Sequence, residues 1–92
     1  MKGDNVKFKD ILINRENRFS IGIEEESGSY YLSIPVSNQM VDYEEYYKIN
    51  EEQFDSFKAD MDSALEFVHQ CREREKDDLL ILKPGKNRGV PL

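Results

Sequence analysis

Asp42, Glu44 and Tyr46 alternate along Val41-Asp42-Tyr43-Glu44-Glu45-Tyr46-Tyr47, and in an extended chain alternate residues share one face. Two carboxylates and a phenol side by side make a surface rich in acceptors. Carboxylates accept arginine in bidentate pairs, so such a strand can imitate the acidic groups that a basic active site binds. Val41, Tyr43, Tyr47 and Ile49 hold the opposite, apolar phase, which Glu45 shares as a misfit; the solvated rim is its expected place, with a bulge as the alternative. A second acidic run, Glu24-Glu25-Glu26, ends at Ser27-Gly28-Ser29, and a third pair, Glu51 and Glu52, follows Asn50. With Asp55 these make nine acids between residues 24 and 55 against one base, Lys48, and all five tyrosines lie in the same window. Elsewhere the charges nearly cancel, so the net charge of −6 is localised. A focused field of this kind steers a basic partner, and tyrosines give it amphipathic contact area. The partner-binding candidates are therefore Asp42, Glu44 and Tyr46 at the centre, with Glu24, Glu25, Glu26, Glu51 and Glu52 around them. The plainer alternative is a strand whose tyrosines pack a sheet while its acids, and those of the hairpin, are merely solvated.

Other chemistries find less support. Cys71 falls on an apolar helical stripe, and His69, two residues before it, points about 200° away on a helix of 3.6 residues per turn, which suits no nucleophile and base pair. One His and one Cys on different sides of a helix do not make a zinc site, and no D-x-D-x-D-G loop is present for calcium. Lys83-Pro84-Gly85-Lys86 lacks the framework of a phosphate-binding P-loop. A carboxylate pair of glycosidase type is open on sequence alone, although a chain of 92 residues is small for a substrate cleft. The expectation is a protein with no catalytic residues, no metal and no cofactor.

Positioning these residues calls for a sheet. Val6 to Ile13 reads as a strand in which Asp10 interrupts the phase, a bulge signal; a short helix is the alternative. Phe19, Ile21 and Ile23 alternate in a second strand, Tyr30, Leu32, Ile34 and Val36 in a third, and Val41 to Ile49 forms the fourth. Pro35 cannot donate to a ladder, so it implies an edge or a bulge in the third strand. Asn50 caps a helix, with Gln53 reaching back and Ile49 stapled on Phe54. Phe54, Phe57, Met61, Ala64, Leu65, Val68 and Cys71 hold one stripe through about six turns, which predicts one long helix; a kink near Asp60, with a second helix capped there, is the alternative. Leu79-Leu80-Ile81-Leu82 reads as a last strand covered on both faces, and residues 84–92 as a basic flexible tail, or else as a loop packed back against the acidic strand. The predicted class is α+β: a small, mostly antiparallel sheet of about five strands with one long helix on one face, in a single domain over residues 1–92. Strand order is open.

The acidic balance disfavours nucleic acid and anionic membranes as partners. No stretch approaches the ~20 apolar residues of a membrane span, the first ten residues lack a signal-peptide core, and one cysteine permits no intrachain disulfide. The expected compartment is the cytoplasm.

A small acidic α+β chain with Tyr30-Tyr31-Leu32-Ser33-Ile34-Pro35-Val36-Ser37-Asn38, Val41-Asp42-Tyr43-Glu44-Glu45-Tyr46-Tyr47 and a following helix resembles the bacterial immunity proteins of contact-dependent growth inhibition and related polymorphic toxin systems. The resemblance implies a non-catalytic cytoplasmic inhibitor that binds one basic cognate toxin domain, often a nuclease, and blocks its active site or an adjacent surface. It carries over no catalytic residues, and the binding residues named above come from the charge argument. The alternatives are a structural or regulatory module that self-associates through a sheet edge or the tyrosine face, and a small enzyme.

Overall fold

Four alternating segments joined by short turns give an antiparallel meander in the computed structural model, which describes residues 6–92. The strands β1 (Phe8–Asn14), β2 (Phe19–Glu24), β3 (Ser29–Ser37) and β4 (Asp42–Ile49) lie side by side in chain order. A two-residue strand, β5 (Val90–Pro91), continues the line of β2, pairing Val36 with Pro91 and Ser37 with Val90. The sheet thus has five strands, all antiparallel.

Asp10 opposes Gly22 while Leu12 opposes Ile21, so Ile11 is the extra residue of a bulge. The bulge turns Leu12 toward the helices while Phe8 and Asp10 face the other way. Pro35 sits inside β3, opposite Glu44, and its carbonyl accepts the Leu92 N–H at 3.1 Å. Its missing donor therefore faces the gap where β2 has ended, at the Ser20–Ser33 pair, and β5 begins.

One sheet face carries the core. Phe19, Ile21, Leu32, Ile34, Val36, Tyr47 and Ile49 pack against Phe54 and Phe57 of α1 (Glu51–Ala59) and Phe67, Val68 and Cys71 of α2 (Leu65–Arg72). Burying each large side chain contributes roughly 1.5–3 kcal/mol, which is what holds two short helices on the sheet. The Asn50 cap is reciprocal: its side chain accepts the Gln53 N–H at 2.7 Å, and the Gln53 side chain accepts the Asn50 N–H at 2.9 Å.

The single long helix is corrected to two, with the break at Asp60 that was the alternative. Asp60 is extended (φ −147, ψ 98), and a 3₁₀ turn, Met61–Ala64, leads into α2. Asp60 accepts the Asp62 N–H on its side chain at 3.2 Å, and its carbonyl takes the Ser63 N–H and hydroxyl at 3.0 and 2.6 Å. These local bonds replace a helical turn, while the apolar phase resumes beyond them.

The strand expected at Leu79–Leu82 reduces to one antiparallel bridge between Leu80 and Tyr47, after a 3₁₀ turn at Asp77–Leu79. The chain end is also not a free tail from Asn87 onward. Asn38 donates to the Asn87 carbonyl at 3.0 Å, the Gly89 N–H donates to the Tyr43 hydroxyl at 2.7 Å, and β5 joins the sheet. Gly89 runs so close to β3 that a Cβ there would lie 2.6 Å from the Ser37 carbonyl carbon, which no side chain tolerates. The packed alternative for this segment is the one observed.

Candidate functional site

The sheet face away from the helices is where alternation places Asp42, Glu44 and Tyr46, and it is closed at its centre by aromatics rather than left flat. Gly22 has no side chain, so the Tyr31 ring lies across it; an added Cβ would stand 2.6 Å from the Tyr31 hydroxyl. Tyr31 reaches β1 and donates to Asp10 Oδ1 at 2.5 Å. Over Tyr31, Phe8 of β1 stacks on Tyr46 of β4 with ring centroids 3.6 Å apart, and both rings meet Tyr31 edge-on. The sheet is curled enough for its two outer strands to touch across the middle pair, as a bulged, twisted sheet permits.

Two carboxylates border this cluster. Burial pushes the Glu44 carboxyl above its ordinary range, and the charge of Asp10 adds to that; proximity to the Ser33 hydroxyl works the other way. Among the described residues Glu44 makes no ion pair. Ser33, 1% exposed on the floor of the face, has a hydroxyl with no hydrogen-bond partner of good geometry. Burial, followed by Glu44 and Asp10, pushes the Tyr46 phenol up to about 12, so it stays a neutral donor. Lys48 shares the face, and Arg15 and Arg18 line with Glu44 a groove of about 220 Å3 over Ser20 and Pro35, yet none of the three closes on Glu44 as an ion pair.

The predicted binding residues divide into three groups. Asp42 and Glu44 are exposed and share the outer face with half-buried Tyr46. Glu25, Glu26, Glu51 and Glu52 are exposed at the other end of the strands, because Glu24 pairs with Ser29 and Ile49 with Tyr30 while Glu44 pairs with Pro35, further along β3. Among the described residues the only ion pair of these four is Lys7 to Glu26 at 3.8 Å, between exposed groups, and such pairs contribute about 0–1 kcal/mol. Glu24 is internal. Its carboxylate accepts the backbone N–H groups of Lys7, Glu26 and Ser27 and the Ser27 hydroxyl, at 2.7–3.0 Å, and the Lys7 bond first among these holds it at about 2. The run thus has a turn-forming member and two solvated ones, and the acids do not form one continuous field.

Glu45 is corrected from the rim to the core. It is 6% exposed, accepts the Tyr47 hydroxyl at 2.9 Å and is held by Arg88 at 2.8 and 3.0 Å. The same guanidinium grips Asp77 at 2.7 and 2.9 Å. An arginine from the chain end compensates the misfit acid, which is why neither a rim nor a bulge is needed.

Asp10, Phe8, Tyr31 and Ser33 belong to the outer face and were not singled out from the sequence. The signals were present: Asp10 breaks the phase of β1, and Tyr31-Leu32-Ser33-Ile34-Pro35 places Tyr31, Ser33 and Pro35 in one phase. Cys71 is buried, its thiol pushed by burial up to about 12, so it is protonated near neutrality and is no activated nucleophile. Among the described residues no group of three His, Cys, Asp or Glu is placed to hold a metal ion, and no helix is long and apolar enough to cross a membrane. No protein-family model, curated protein or solved structure gives a significant match to this chain.

Proposed function

We propose that this protein is a non-catalytic binding protein that docks a basic protein partner on the outer face of its sheet, most concretely a cytoplasmic immunity protein that neutralises a cognate toxin domain, a nuclease being the class such a face suits. The observation that carries this reading is Glu44, a carboxylate on the rim of an aromatic cluster, beside Asp10, with no cationic partner among the described residues. Glu44 is solvent-accessible, but the neighbouring rings and the Asp10 charge make its ionised form less favourable than in open water, a cost that an arriving cation relieves. Asp42, Glu44 and Tyr46 form the centre of the contact. Glu25, Glu26, Glu51 and Glu52 lie apart from it and act through the long-range field, on encounter rate and its salt dependence.

The test is binding and inhibition of the toxin domain of the protein encoded immediately upstream, using the full chain and an Asp42→Asn, Glu44→Gln, Tyr46→Phe triple variant that preserves the aromatic packing. The expected result is a 1:1 inhibitory complex weakened by ~2–5 kcal/mol in the variant, mainly through faster dissociation. Unchanged affinity removes the site; absence of inhibition by the parent chain removes the immunity role.

Self-association through the β1 edge is a second reading with an observation of its own: among the described residues β1 pairs only with β2, and Ile11 and Ile13 are 37% and 55% exposed. The bulge at Ile11 and the flanking Lys7 and Lys9 act against it, as such features guard open edges. Concentration-dependent size in sedimentation, abolished by Ile13→Lys, would favour it.

A further inference from the structure

We infer that the outer face contains a recognition site for a guanidinium group, built from Glu44, Asp10, Ser33 and the Phe8–Tyr46 stack, and that it takes an arginine side chain of the partner in preference to a lysine. This rests on reading that face as a docking surface, and it specifies what docks.

Two observations combine. The first is the acceptor set. Glu44 offers two oxygens without an ionic partner among the described residues, and Asp10 is fixed by the Tyr31 hydroxyl on Oδ1 at 2.5 Å, which leaves its second oxygen for another donor. The second is independent of charge. Ser33 Oγ, on the floor next to Tyr46 in register and diagonal to Glu44 on the same face, is buried with no hydrogen-bond partner of good geometry. A buried hydroxyl without a partner is disfavoured, and a donor group laid against Glu44 supplies one.

The chemistry of the walls then chooses between cations. The two carboxylates are exposed, but the Phe8, Tyr31 and Tyr46 rings beside them and buried Ser33 below keep water from one side. A guanidinium is planar, weakly hydrated, stacks on rings and spreads five N–H donors in one plane, so it can serve several acceptors at once. An ammonium is a compact, strongly hydrated point charge that loses more water on entering and engages fewer of them. A divalent cation is the poorer fit, since no third ligand is placed beside the two carboxylates among the described residues.

The probes are two synthetic octapeptides, identical except that one carries arginine at four positions and the other lysine, titrated into the full chain at low salt by calorimetry and by backbone NMR. The arginine peptide is expected to bind at least tenfold more tightly, to shift the amides of Ser33, Glu44 and Tyr46, and to lose at least tenfold in Glu44→Gln and severalfold in Ser33→Ala. Thermal melts of both variants check that the fold is retained. Equal affinity for the two peptides overturns guanidinium selectivity and leaves the docking surface standing. Arginine-selective binding that Glu44→Gln does not weaken places the site elsewhere and overturns both readings. No binding of either peptide overturns this inference, and the docking surface is then decided by the toxin-domain experiment.

Discussion

Arg88 and Glu45 are 43 residues apart in sequence and joined by two hydrogen bonds, Nε to Oε2 at 2.8 Å and Nη2 to Oε1 at 3.0 Å. This contact fixes the chain end over the start of β4, where Gly89 and the Tyr43 hydroxyl also meet. Both partners are largely shielded, with side-chain exposures of 14% and 6%, so the carboxylate has little water to replace the guanidinium.

Removing Arg88 should therefore cost more than removing the pair. Arg88→Met leaves Glu45 with only the Tyr47 hydroxyl, and the expected loss in urea denaturation is ~3–5 kcal/mol. Adding Glu45→Gln should recover most of it, because the uncompensated charge, more than the lost contact, is what destabilises. A loss below about 1 kcal/mol in Arg88→Met alone would mean that solvent reaches Glu45 freely.

Gly22→Ala tests the aromatic face. The new methyl would collide with the Lys9 carbonyl and the Tyr31 ring, so β1 or Tyr31 must move, at a cost of about 1–3 kcal/mol. The Tyr31–Asp10 hydrogen bond and the Phe8–Tyr46 stack should loosen together. Near-ultraviolet circular dichroism and faster amide exchange along β1 read this, and an unchanged aromatic signal would contradict the packing described.

The sheet was legible because its signals are local. Alternation and turn residues placed the four long strands, Asp10 announced the bulge, and Asn50 with Gln53 marked the start of α1. What failed depended on a local choice at Asp60, which the sequence left as an alternative, and otherwise on partners distant in sequence. The period of the apolar stripe is the same whether or not a helix breaks, so only the local bonding of Asp60 and Ser63 decides the break. Leu79–Leu82 looked like a strand by composition, but Asp77 is drawn to Arg88 and the chain turns there instead. Glu45 and Glu24 read as surface acids because nothing near them in sequence shows that Arg88 or the Lys7 N–H will reach them. On the candidate face, alternation gave Asp42, Glu44 and Tyr46, whereas Asp10 joins only because the curl brings β1 across to β4.

Glu24 makes stability depend on acid in a set direction. Hydrogen bonds, that from the Lys7 N–H foremost, lower its pKa from 4.5 to about 2, so the unfolded chain takes up the proton more readily than the folded one. Its contribution is complete above pH 4.5 and fades as pH falls through about 2. Glu24→Gln should lower Tm at neutral pH, and the gap to the parent should close as pH drops across that window. A gap independent of pH would show that the loss is one of shape, not charge.

Glu44 carries the opposite sign, and that ties stability to function. Burial and Asp10 raise its pKa in the folded state, so the folded chain holds the proton more readily than the unfolded one. By linkage the ionised carboxylate lowers stability once pH rises above the ordinary 4.5, with the penalty complete beyond the raised value. Glu44→Gln should accordingly raise Tm at neutral pH, show no difference below pH 4.5, and weaken binding of the basic partner at the same time. A carboxylate kept for packing alone has no reason to behave this way: its removal would cost stability or change nothing. Tm and partner affinity measured on the same Glu44→Gln sample decide the matter, since a fall in Tm at neutral pH would mean that Glu44 has an internal partner and that the outer face is not waiting for a cation.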